Sequence, residues 1–177
     1  MIRIDSVDKI PKEYRDTPIA LLLEYHNLER PYTTHSQAQL LIGMCMDHRN
    51  HLHIPDYFAY IIRTGGANLR YSEFKVSYAI SVGGIRHIAL IGHNNCGMVN
   101  LMSRKEKFIQ GLVEGAGWEP NQAEEHFMSF APMFETGNET DFILSEAKRL
   151  RARYPKVRVA PMLYKIEEGR LYLLEAT

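Results

Sequence analysis

The chain is predicted to fold as an α/β protein with a mainly parallel central sheet flanked by helices. Three observations predict this. Short apolar runs that read as buried strands recur at 39–44, 57–62, 87–91 and 157–163. Segments of helical periodicity fall between them. Cap and turn residues, among them Thr17-Pro18, Gly83-Gly84 and Glu168-Gly169, sit at the boundaries. Strands that alternate with helices pair in parallel and are covered on both faces. At 177 residues one domain, 1–177, can enclose such a core, with residues 1–36 forming an N-terminal arm and an amphipathic helix ahead of the sheet.

Thr17 followed by Pro18 reads as an N-cap and first helical residue. Ile19, Leu22, Leu23 and His26 then fall at i, i+3, i+4 and i+7, giving a helix to about residue 30. The strand 39–44 ends at Cys45. The strand 57–62 ends at Arg63 and makes Tyr57, Phe58 and Tyr60 core residues. Ser72 caps a helix through 82, which Gly83-Gly84 closes. The strand 87–91 ends at Gly92-His93. A helix over about 97–110, a loop over 111–117 and helices over 122–130 and 139–153 follow. After the strand 157–163, the Glu168-Gly169 turn leads to a last strand at 171–174.

Composition excludes some functions. The 21 basic and 21 acidic residues cancel, so there is no electrostatic footprint for nucleic acid or an anionic membrane. The basic run 148–153 reads as the solvated end of a helix, where cations complement the dipole. Residues 1–13 are polar and lack the apolar centre of an export signal. No apolar stretch approaches the ~20 residues needed to cross a bilayer. A cytoplasmic protein with reduced thiols is therefore expected. Its two cysteines read as metal ligands or buried apolar thiols, with a Cys45–Cys96 disulfide open only under oxidation.

Both cysteines lie in chemically dense strings, Cys45-Met46-Asp47-His48-Arg49 and His93-Asn94-Asn95-Cys96. Two thiolates and one imidazole supply three ligands of a tetrahedral Zn²⁺. Three protein ligands are typical of a catalytic zinc, whose fourth position takes water, an acidic side chain or substrate. The donor set favours zinc over hard cations. Asp47 and Arg49 are close enough to Cys45 to orient whatever occupies that position. Cys45, Arg63 and His93 each follow a separate strand, so one sheet edge gathers all three. His48, His51 and His53 form a loose cluster that can pass protons near neutrality, or serve simply as polar loop residues. Gly65-Gly66 reads as a tight turn near the metal, since no phosphate-binding glycine pattern accompanies it.

Taken in order, Cys45-Met46-Asp47-His48-Arg49, Arg63-Thr64-Gly65-Gly66-Ala67 and Gly92-His93-Asn94-Asn95-Cys96-Gly97-Met98 resemble the β-class carbonic anhydrases. The likeness runs from about Leu40 to Val99 and more loosely to the terminal strands. It implies zinc held by Cys45, His93 and Cys96, a catalytic Asp47–Arg49 pair, and substrate contacts at Gly66 and Gln37. The activity implied is zinc-dependent reversible hydration of carbon dioxide to bicarbonate, the metal lowering the pKa of water to about 7. Asp47 would accept the hydrogen of the attacking oxygen, and Arg49 would hold Asp47 ionised. In some members that Asp swings onto the metal instead. Hydrolysis of carbonyl sulfide or carbon disulfide at the same site is the alternative chemistry. A non-catalytic zinc-binding member with a binding or sensing role is the alternative class.

The resemblance also implies a homodimer or dimer of dimers, with N-terminal helices laid across neighbouring subunits and the apolar stripe of 17–30 buried between chains. Thr64 stands where the family usually has Asn, and His48 where Ser is commoner. The short segment between Arg49 and Arg63 predicts a pocket that is more open or differently walled. Ile42 replaces the Trp of a regulatory bicarbonate pocket found in some members, so that pocket is not implied.

Overall fold

In the computed structural model, which describes residues 1–174, the strands are β1 (Ile2–Arg3), β2 (Leu40–Cys45), β3 (Ala59–Thr64), β4 (His87–His93), β5 (Arg158–Lys165) and β6 (Arg170–Leu173). The helices are α1 (Pro18–Leu28), α2 (Glu73–Ser81), α3 (Lys105–Ala116), α4 (Pro120–Phe134) and α5 (Glu139–Arg153). One sheet holds the strands in the order β1-β6-β5-β4-β2-β3. The four strands from β5 to β3 are parallel, and β6 and β1 are antiparallel additions at one edge.

The central strands read as unbroken apolar runs because both faces are covered: every residue of β2 is buried. Period-2 side-chain alternation sorts them. Leu40, Ile42, Met44, Ala89 and Ile91 point to one face and pack beneath Ile19, Leu22 and Leu23 of α1. Leu41, Ile88, Leu90 and Val159 point to the other, against Val76 of α2 and Ile143, Ala147 and Leu150 of α5. Thr17 Oγ1 accepts the Ile19 amide at 3.2 Å, so the predicted cap forms. The apolar stripe of α1, however, is spent within its own chain and not on a neighbour, because without it one face of the sheet would be bare.

Other expectations are corrected in detail. Ser72 precedes α2 but its side chain makes no capping bond. The helix expected over 97–110 starts only at Lys105, since Asn100 takes a left-handed conformation that breaks it. The loop expected over 111–117 is helical as far as Ala116. Gly111 and Gly115 lie in α3, whose packing on α4, with the Phe108 and Phe127 rings 5.1 Å apart, outweighs the helical cost of glycine. Gly117 supplies the left-handed helix end instead. Phe58 is core, but Tyr57 and Tyr60 are exposed. The basic end of α5 is solvent-exposed as expected, and its arginines are partnered as well: Arg149 and Arg153 bind Glu73, and Arg151 the Val159 carbonyl. The strand β1 carried no sequence signal beyond two residues.

Candidate metal centre

Three parallel strands end side by side at one sheet edge. Cys45 closes β2, opposite Thr64 at the end of β3, and His93 closes β4. Beyond β4 the chain reverses at Asn95, whose φ is 56°, and this turn carries Cys96 back towards His93. The turn is tied down twice. Asn94 donates to Glu167 and accepts the Ile166 amide, while Arg49 donates to the Asn95 carbonyl at 3.1 Å.

Cys45, His93 and Cys96 are all buried, and one donor atom from each lies within 4.8 Å of the others. The two Sγ atoms are 3.9 Å apart, and both thiols are free. Two Zn–S bonds of about 2.3 Å at a tetrahedral angle would place the sulfurs about 3.8 Å apart. Nδ1 of His93 lies 2.9 Å from the Asn94 carbonyl and must carry the proton to donate there. Nε2 is then the lone-pair nitrogen, and it is buried without any hydrogen-bond partner among the described residues. An orphaned acceptor beside two thiols at the tetrahedral spacing fits a zinc ion in donor type, number and geometry. The two thiols shift in opposite directions: the Cys96 S–H aimed at Cys45 pulls the Cys45 thiol well down despite its burial, and Cys96 holds its own proton the harder.

Asp47 sits at the lip, its Oδ2 3.9 Å from His93 Nε2. Arg49 meets both carboxylate oxygens, Nε to Oδ1 at 2.9 Å and Nη2 to Oδ2 at 2.7 Å, and its amide also donates to Oδ1. These bonds hold the Asp47 carboxyl far below the usual carboxylate range. Arg63 braces the strand ends by donating to the Cys45 and Asn50 carbonyls. Gly66 joins the site too. Its φ of 60° suits glycine, and a Cβ there would lie 2.6 Å from Thr136 Cγ2.

Not every expected residue converges. Gln37 is exposed ahead of β2, at the end of that strand away from Cys45, roughly 20 Å along a six-residue strand. His48 is exposed, with Nδ1 4.0 Å from Asp47 Oδ1. His53 donates its amide to His26 of α1, and His51 faces solvent. Three residues that the sequence did not signal, Glu139, Thr136 and Ile143, line the site. Glu139 accepts the Cys96 amide, and with Thr136, Gly92 and Ile143 it closes the rear of the site to a void of about 10 Å³. On another side, Met46, Thr64, Met98, Phe130 and Phe134 help enclose a mostly apolar cavity of about 520 Å³.

A mainly parallel α/β sheet that gathers Cys45, His93 and Cys96 at its carboxyl edge, close enough to hold one metal ion, is the arrangement typical of the β-class carbonic anhydrases. Residues 59–171, well over half of the chain, match the family model for carbonic anhydrase, and the chain belongs to that family, in its β class. The fold is similar to that of a β-carbonic anhydrase isoform from Trichomonas vaginalis, at 17% identity over 82% of this chain and 88% of that one, with a TM-score of 0.64. It is also similar to a carbonic anhydrase from Glaciozyma antarctica, at 19% identity, 93% and 99% coverage and a TM-score of 0.61. A carbon disulfide hydrolase shares it at 21% identity, 92% and 90% coverage and a TM-score of 0.58. No curated protein matches by sequence.

Proposed function

We propose that this chain hydrates carbon dioxide reversibly to bicarbonate at a zinc ion held by Cys45, His93 and Cys96. The observation that carries the reading is the pairing of three preset donors with an ionised, doubly clamped carboxylate at their open side. Zinc, when bound there, supplies the Lewis acidity that makes water a nucleophile at neutral pH. Asp47, held ionised, would accept a hydrogen from the water that reacts and so orient its lone pair towards the carbon. Arg49 prevents the carboxylate from turning. Because the same guanidinium holds the Asn95 carbonyl, that aim is keyed to the turn bearing Cys96. Gly66 brings backbone without a side chain to the edge of the site, where the Thr136 methyl fills the space a Cβ would take.

Hydrolysis of carbonyl sulfide or carbon disulfide is a second reading, favoured by the apolar cavity beside Met46 and Met98. Its walls suit a less polar and bulkier linear molecule. A cytoplasmic homodimer or dimer of dimers completes the proposal. Its support is the free edge strand β3 and adjoining α2, where Tyr60, Ile61, Phe74, Tyr78 and Val82 are exposed together.

Elemental analysis and stopped-flow assays on one purified sample test the reading, with carbon dioxide and both sulfur analogues as substrates. We expect about one zinc per chain and rapid hydration of carbon dioxide, with Cys96→Ser losing both. Zinc with turnover of the sulfur analogues alone would select the second reading. Absence of zinc, with Cys96→Ser behaving like the parent, would remove the site.

A further inference from the structure

We infer that Glu139 is a positioning residue for the metal centre: its carboxylate holds the backbone of Cys96 and thereby the thiolate that Cys96 presents. The inference rests on the zinc reading above and adds to it a residue from a different part of the fold. The Cys96 amide donates to Glu139 Oε1 at 3.2 Å. The bond is half-buried, and what it needs from residue 139 is an acceptor oxygen at this reach. It acts on the one ligand that lies outside a strand. Cys45 and His93 are held by the sheet ladder, whereas Cys96 follows a left-handed residue in a turn.

The position of Glu139 is itself enforced. It is the first residue of α5, and Asn138 caps that helix by accepting the Asp141 amide at 3.0 Å. The helix approaches β4 closely because residue 92 is glycine. A Cβ there would lie 2.6 Å from Ile143 Cγ1 and 3.8 Å from the Glu139 carbonyl. Thr136, just ahead of the helix, donates its amide to the Met98 carbonyl at 3.1 Å and packs against Gly66. The void left among these groups is only about 10 Å³, so Cys96 has no slack in which to shift while Glu139 stays in place. A carboxylate in the first turn also favours the helix dipole. That is an ordinary reason for a Glu here, but it does not require the side chain to reach across to a ligand's amide.

Three variants separate these roles. Glu139→Ala removes the acceptor, Glu139→Gln keeps an acceptor oxygen without the charge, and Glu139→Asp keeps the charge and the helix start but shortens the reach. Zinc affinity would be measured by competition with a chromophoric chelator, alongside the visible and thiolate-to-metal bands of the cobalt-substituted proteins. Circular dichroism and melting of the metal-free chains would report the fold. We expect Ala and Asp to weaken zinc by about 10- to 100-fold and to shift the cobalt bands, as loss of a ligand's outer partner does elsewhere. Gln should stay within roughly threefold of the parent on the same scale. Because Asp preserves the helix start, it keeps the test decisive if Ala fails to fold. Ala or Asp with parental affinity and bands, whatever the melting point, would overturn the inference, as would Gln falling as far as Ala. A parent chain that binds no zinc would instead overturn the underlying reading, and that is seen before any variant is made.

Discussion

In the proposed reaction Asp47 is the residue on which the chemistry turns, and its surroundings say what a change there should do. Both oxygens are engaged by Arg49, and neither cysteine nor His93 depends on them for its hydrogen bonds. Asp47→Asn should therefore keep the metal yet lower turnover by about 10²-fold or more, the scale of a lost orienting or acid–base group. Metal analysis and stopped-flow hydration of the same preparation check both halves, and an active Asp47→Asn protein would make Asp47 peripheral. Asp47 and Arg49 were legible in the sequence because they share a string with Cys45, so their proximity is guaranteed by covalent spacing. Glu139 and Thr136 were not legible, because they arrive from more than forty residues beyond His93 and a Glu at a helix start needs no special reason. Gln37 shows the reverse: closeness to Cys45 along the chain is distance in space within that chain when a strand lies between them.

Among the elements, α1 was the easiest to read and the one most misjudged in its role. Its period and cap are local properties, and they hold. What the apolar stripe covers is a tertiary matter, and here it is the chain's own sheet. The helix also buries His26 against Tyr164 and His53. Burial, reinforced by the neighbouring His53 and Arg170, holds the His26 imidazole down at about 4. The native state thus keeps His26 neutral while the unfolded chain takes up a proton near pH 6.5. Stability from this source is complete above that pH, falls as pH drops towards about 4, and levels off below. The loss is on the order of 3 kcal/mol across that window. Urea unfolding at pH 7.5 and pH 5 should show it, and His26→Leu should flatten the difference; an equal slope in the variant would place the proton uptake elsewhere. The late start and long run of α3 were illegible because they depend on Asn100 adopting a left-handed turn and on packing against α4, neither of which periodicity records.

For the whole molecule, the parallel sheet and the gathering of strand ends at one edge followed from the order of apolar runs, whereas the identity of the exposed edge did not. That edge is β3, and it leaves Ile61 and Tyr60 in solvent beside Phe74 and Tyr78. Ile61→Lys places a charge on this surface without entering the core. Sedimentation should show the parent as a dimer or larger at low micromolar concentration and Ile61→Lys as a folded monomer. A parent that sediments as a monomer would refute the assembly. The spacing of the two thiols has a thermodynamic side as well. Cys45 and Cys96 are 51 positions apart, on either side of β3, α2 and β4. An ion shared between them closes that whole stretch into a ring, and in the unfolded chain this would demand a large loss of loop entropy. The folded sheet has already met that cost through its β2–β4 pairing. Zinc bound as proposed would therefore discriminate strongly for the native chain, and its free concentration would become a control on how much of the protein is folded.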